Sequence, residues 1–130
     1  ELSVYGNSEH LARITYGIGL YLSLQAKQEI EIKLKQEIKV IDLRWLSPIK
    51  YKKLAESLKQ CKNILIVDEC RKTGCHGEGI LIELLSIIKG KPKIKLHAAE
   101  DSFIPLGAAA TSTLPSKNSI IEKSIELINE

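Results

Sequence analysis

Between Asp68 and Gly77 the sequence reads DECRKTGCHG, and this stretch holds most of the side chains that could do chemistry. Thr73-Gly74-Cys75-His76-Gly77, opening a helix, could cradle an anion with its backbone N–H groups. The stretch lacks both the G-x-x-x-x-G-K-[ST] loop and G-x-G-x-x-G, and its glycines also suit a tight turn onto a sheet. Cys75-His76 invites a nucleophile-and-base reading. Adjacent residues rarely face each other, so these two read as ordinary helix-start residues. Cys70 and Cys75-His76 with Cys61 match no paired zinc spacing and read as small buried thiols. The acid pairs Asp68-Glu69 and Glu100-Asp101 could serve acid–base or metal chemistry. The preferred account is structural: they cap loops or pair with Arg44 and Arg71. His10 and His97 are isolated and receive no role. No catalytic, cofactor-binding or metal-binding residue is assigned.

The elements that must position this stretch follow from periodicity and turn chemistry. Leu2 to Tyr5 reads as a strand closed by Gly6-Asn7-Ser8. The spacing of Leu11, Ile14, Ile18, Tyr21, Leu22 and Gln25 then predicts a helix from about Ser8 to Gln28. Lys27 to Glu37 reads as an exposed helix end and connector. Lys39 to Trp45 is the second strand, and Ser47-Pro48 predicts the start of a second helix, lined by Leu54, Ala55, Leu58 and Cys61. Ile64 to Val67 is an unbroken apolar run that suits a central parallel strand. The helix after the chemistry-bearing loop should bury Ile80, Leu81, Leu84, Leu85 and Ile88 and end at a left-handed Gly90. Lys93 to Ala98 is the fourth strand. A last helix from about Pro115-Ser116 should bury Ile120, Ile121, Ser124, Ile125 and Ile128. Strand–helix alternation of this kind predicts a three-layer α/β/α sandwich with a mostly parallel sheet of four to five strands. In such sheets ligands sit outside the carboxyl ends of the strands, which selects Gly6 to Ser8, Asp68 to Gly77 and Glu100 to Ala110.

Composition narrows the function classes. The 130 residues, 44% hydrophobic and 27% charged, make one globular domain spanning 1–130. The net charge of +3 comes from well-mixed residues, and aromatics are only 5%, so nucleic acid is not an expected partner. No apolar run approaches the ~20 residues of a membrane span. Three cysteines make no closed disulfide framework, so the chain reads as reduced, soluble and cytoplasmic. It has no methionine and starts at Glu1, which reads as a piece of a larger protein.

Specific motifs then appear in order along the chain. Val40-Ile41-Asp42-Leu43-Arg44-Trp45-Leu46-Ser47-Pro48 resembles the V-V-D-L-R-x-L-x-P-L segment of the beta subunits of 2-oxo acid dehydrogenases. Ile64-Leu65-Ile66-Val67-Asp68-Glu69-Cys70-Arg71-Lys72-Thr73-Gly74 is similar to that family's L-V-V-V-E-E-x-x-R-T-G-G, with Cys75 at the usual second glycine. Glu100 to Gly107 resembles the G-x-D-x-P-x-P loop, and Leu114-Pro115-Ser116 resembles the start of the final helix. The resemblance implies a transketolase carboxy-terminal fold, with an antiparallel edge strand preceding residue 1. It also implies a parent enzyme, of pyruvate or branched-chain type or a transketolase, that uses thiamine diphosphate and magnesium and, in the dehydrogenases, acylates lipoamide. The domain itself is expected to bind no cofactor and to catalyse nothing alone. Its expected partners are other domains or subunits in a homodimer or heterotetramer, and the dihydrolipoyl acyltransferase core. The docking residues this selects are Asp68, Glu69, Arg71, Thr73, Gly74, Phe103, Ile104 and Pro105. Two rival readings stand beside it. One is a free-standing nucleotide- or anion-binding module on Thr73 to Gly77. The other is a redox protein using Cys70 and Cys75, which requires a low-pKa thiol.

Overall fold

Five strands pair in the order β1-β3-β2-β4-β5, in a computed structural model that describes residues 1–130. They are β1 (Leu2–Tyr5), β2 (Leu11–Thr15), β3 (Lys39–Leu43), β4 (Asn63–Arg71) and β5 (Lys93–Ala99). The helices are α1 (Ile18–Leu34), α2 (Tyr51–Leu58), α3 (His76–Ile87) and α4 (Lys117–Asn129), with a short 3-10 turn at Gly107–Ala109. β2, β3, β4 and β5 are parallel, while β1 runs antiparallel along β3.

Alternation along the central strands divides the core in two. Ala12, Ile14, Ile64 and Ile66 face α2 and α3, where they meet Leu54, Leu58, Ile80 and Leu84. Leu11, Leu65 and Val67 face the other way, onto Ala26 and Ile30 of α1 and Ile120, Ile121 and Leu127 of α4. The three-layer α/β/α architecture stands as the alternation implied. The last helix begins where its sequence suggested, and there Ser116 and Ser119 exchange side-chain and backbone hydrogen bonds in a capping box.

Several boundaries differ from expectation. Leu11–Thr15 is a strand, not the start of the first helix. Both of its faces are buried, and a short apolar run fits helical and strand spacing equally well. The turn that ends it is Gly17, at φ 58 and ψ −135, a conformation open to glycine. α1 then runs to Leu34, burying Ser23, Ala26 and Ile30, while Ile18 and Tyr21 face solvent. The stretch from Lys27 is therefore a helix end with a packed face at Ile30, and only Lys35 to Glu37 is the exposed connector expected for the whole stretch. The antiparallel edge strand is β1 itself rather than a segment before residue 1. Because β1 is reversed, Gly6 to Ser8 lies beside the start of β3, where the Asn7 N–H donates to Glu37. That loop is at the end opposite the other two. α2 begins at Tyr51, not at Pro48, because Leu46 and Ile49 first tuck against the core. α3 ends at Ile87 with Ile88 extended, so Gly90, at φ 98, belongs to the turn into β5 and does not cap the helix. Leu85, expected inside, is exposed.

Candidate docking surface

β2, β3, β4 and β5 all end at one edge of the sheet, so the loops that follow them share that edge. The loop after β4 is built around Asp68, which is 1% exposed. One carboxylate oxygen accepts from the Tyr16 hydroxyl at 2.7 Å and from the Cys70 N–H at 2.8 Å. The other accepts from the Gly77 N–H at 2.8 Å, in the first turn of α3. Burial by itself raises the Asp68 carboxyl, but the bonds from Tyr16, Cys70 and Gly77 outweigh it and hold the pKa below the ordinary carboxylate range. Burial, with the bond to Asp68, pushes the Tyr16 hydroxyl the other way. Asp68 is thus an internal brace that fastens the end of β2, the end of β4 and the start of α3. Its partners are Tyr16 and backbone N–H groups, so of the two structural roles expected it caps its loop and does not pair with Arg44 or Arg71. Tyr16, directly after a strand and before a glycine, was not selected from the sequence, since its role depends on which strands lie side by side.

The second brace is Asp101. It accepts from the Thr73 N–H at 2.8 Å and from the Thr73 hydroxyl at 2.6 Å, and the Lys72 N–H donates to the Ala99 carbonyl at 3.0 Å. The loops after β4 and β5 therefore form one unit. Between them Arg71, Thr73, Asp101, Ser102 and Phe103 line an open groove of about 380 Å³. Beyond it Phe103 is 99% exposed and Leu106 94%, with Ile104 exposed between them. Pro105 is half-buried, and Gly74 holds φ 81 with open space around it. Glu69 is half-buried against Gly17, where a Cβ would meet its Oε1 at 2.7 Å. Trp45 after β3 and Ile18 and Tyr21 at the start of α1 are exposed in segments that begin at the same edge. A row of apolar side chains open to water is the mark of an interaction surface.

The same geometry argues against an anion cradle. The N–H groups of Thr73, Gly74 and Gly77 are already taken by the carboxylates of Asp101, Glu78 and Asp68. A diphosphate would meet those acids instead of free donors. The residues present therefore do not fit the thiamine diphosphate–magnesium group, and no set of three or more His, Cys, Asp or Glu side chains converges to hold a metal ion. Cys75 and Cys61 are buried, but Cys70 is exposed, against expectation. Burial, reinforced by the Asp68 charge, raises the thiol pKa of both Cys70 and Cys75. That is the reverse of what a redox pair requires.

A family model described as "Transketolase, C-terminal domain" matches residues 5–115. The chain belongs to this family. As a transketolase C-terminal domain it is 32% identical over 117 residues to the pyruvate dehydrogenase E1 component subunit beta of Staphylococcus aureus, covering 88% of this chain and 36% of that protein. The corresponding Staphylococcus epidermidis subunit is 32% identical over 113 residues, 85% of this chain and 34% of its own length. The chain thus spans about a third of the curated relatives it matches. Among solved structures, a split-gene transketolase in an inactive beta4 tetramer superposes with a TM-score of 0.83 at 17% identity, over 99% of this chain and 41% of that one. The 2-oxoglutarate:ferredoxin oxidoreductase of Magnetococcus marinus superposes at 0.68 and 15% identity, over 98% and 20%. These two likenesses, at 17% and 15% identity, support the fold alone.

No helix of the domain is long and apolar enough to cross a membrane.

Proposed function

We propose that this chain is the non-catalytic docking domain of a thiamine diphosphate-dependent 2-oxo acid dehydrogenase, of pyruvate type. The parent would oxidatively decarboxylate its 2-oxo acid and pass the acyl group to lipoamide, with cofactor and magnesium held by its other parts. The observation that carries this is the 32% identity to a pyruvate dehydrogenase E1 beta subunit across 88% of the chain. The carboxyl-edge surface supports it physically: its donors are internally satisfied, while Arg71 and the Phe103–Leu106 tip face solvent. Such a surface suits protein rather than coenzyme. Glu69, Arg71, Thr73, Gly74, Phe103, Ile104 and Pro105 form the docking loops, and Asp68 holds them from within. The partners are the remaining subunits of a homodimer or heterotetramer and the dihydrolipoyl acyltransferase core.

Arg71→Glu combined with Phe103→Ala is expected to lower the assembly mass of the full-length enzyme in sedimentation, because it reverses a charge and removes a central apolar anchor. An unchanged mass counts against the docking role. Titration of the chain alone with thiamine diphosphate and magnesium should release no binding heat, and uptake at micromolar concentration would overturn the reading.

A further inference from the structure

At the amino edge of the sheet, opposite the docking loops, two turns bring lysines together. β4 starts at Asn63 and β5 at Lys93, side by side, and the Lys93 N–H donates to the Lys62 carbonyl at 3.0 Å. The turns that lead into these strands are thereby held against each other. Lys59 and Lys62 from the first, and Lys89 and Lys91 from the second, line one groove of about 230 Å³ with Cys61 in its wall. All four lysines are exposed, and none has a carboxylate within ion-pair distance. Behind the groove the buried Lys39 adds a fifth cation without an acid partner. Its Nζ donates to the Ser57 carbonyl and lies 3.7 Å from the Cys61 sulfur. No acidic side chain lines the groove. Those nearby are Glu9 and Glu37, which share Lys62 in the adjoining cleft, and Glu56, which makes no ion pair with Lys59 three residues on. Lys59, Lys89 and Lys91 are left uncompensated.

The backbone adds donors. The N–H groups of Lys89, Gly90 and Lys91 donate to no backbone carbonyl. Gly90 holds φ 98 with open space where a Cβ would stand, and Lys91 holds φ 50, a left-handed conformation uncommon for a residue with a side chain. This is the converse of Thr73 to Gly77, whose N–H groups are taken by acids. We infer that the groove binds a phosphate monoester, with the phosphate group seated between the two turns. A tetrahedral dianion offers three terminal oxygens, enough to accept from ammonium groups on both sides and from the N–H groups of the second turn. A carboxylate brings one charge and two oxygens and leaves more of these donors unmet. Ammonium groups at a surface stay strongly hydrated, so the affinity is roughly millimolar, far weaker than the coenzyme uptake that counts against the docking proposal. The inference is independent of that proposal, which uses the opposite edge of the sheet.

The amide spectrum of the chain, titrated with ethyl phosphate at neutral pH and constant ionic strength, tests this. The N–H signals of Lys89, Gly90 and Lys91 should shift together and saturate, while those of Thr73, Gly74 and Gly77 stay in place. Lys59→Gln combined with Lys89→Gln is expected to weaken binding about fivefold, as befits the loss of two exposed charges. Lys52→Gln with Lys53→Gln removes the same charge from exposed positions of α2 outside the groove and should leave binding unchanged. All four lysines are exposed, so neither pair disturbs the core. Amides of the second turn that do not move at millimolar ethyl phosphate overturn the inference. Equal weakening by the two pairs does so too, since net charge rather than the groove would then hold the ion. Acetate bound as tightly as ethyl phosphate would likewise sink the phosphate assignment.

Discussion

Asp68→Ala is expected to destabilise the domain by about 3–5 kcal/mol, because three donors lose a buried, charged acceptor together. The Tyr16 hydroxyl and the N–H groups of Cys70 and Gly77 all point at this carboxylate, which is inaccessible to replacement water while the fold is intact. For a chain of 130 residues that corresponds to a fall in melting temperature of roughly 10 °C or more. Asp68→Asn keeps the volume but turns one acceptor into a donor facing Tyr16 or Gly77, so it should recover only part of the loss. The effect carries a pH signature. The folded pKa of Asp68 lies below its unfolded value of about 3.9, so its stabilisation is complete above that value and fades as pH falls toward the folded pKa. Unfolding in urea from neutral to acid pH should therefore show wild type and Asp68→Ala converging below about pH 4. A constant gap across that range would mean that volume, not charge, accounts for the loss.

How much of this brace could be read beforehand depends on what each link requires. The long apolar run of β4 and the polar, glycine-bearing loop after it were legible, because period and turn chemistry are local. The loop's internal wiring was not. Asp68 meets Tyr16 only because β2 and β4 are neighbours in the sheet, and β2 was hidden inside an apparent helical stripe. Leu11, Ile14 and Ile18 repeat at helical spacing, yet the first two lie on a strand and the third faces solvent. Missing that one strand also displaced the antiparallel edge to a position outside the chain and put Gly6 to Ser8 at the wrong end of the sheet. The motif at Val40 to Pro48 survived these errors, since it rests on residue identity rather than on periodicity. It located the family while the topology was still misread. The loop that carries Phe103 was selected for the same reason, although its exposure had to come from the structure, whereas Leu85 was placed inside by a stripe drawn one residue too wide.

Arg13→Met is expected to raise stability, by about 1–3 kcal/mol, even though it removes two hydrogen bonds. Arg13 sits on β2 beneath α1 and α4 with no exposure at all. Its Nε donates to the Ser124 hydroxyl at 3.1 Å and its Nη1 to the Ser23 carbonyl at 2.9 Å, but Nη2 has no partner and no carboxylate lies within ion-pair distance. Burial pulls the guanidinium pKa down to about 10, against the opposing pull of the more distant Glu31, which is the sign of a cation held where its charge is poorly compensated. The groups it leaves behind are not orphaned. Ser124 still donates to the Ile120 carbonyl at 2.6 Å, and the Ser23 carbonyl lies within α1, whose own N–H groups serve it. Methionine is unbranched and fills an irregular slot of similar length. Arg13→Ala should act in the opposite direction, by roughly 2–4 kcal/mol, since it opens a cavity between the sheet and two helices. The contrast in sign at one position separates the cost of the charge from the worth of the volume. Equilibrium unfolding of the two variants measures it, and a methionine variant clearly weaker than wild type would show that the guanidinium, through Ser124, Ser23 and Glu31, is a net contributor to the fold.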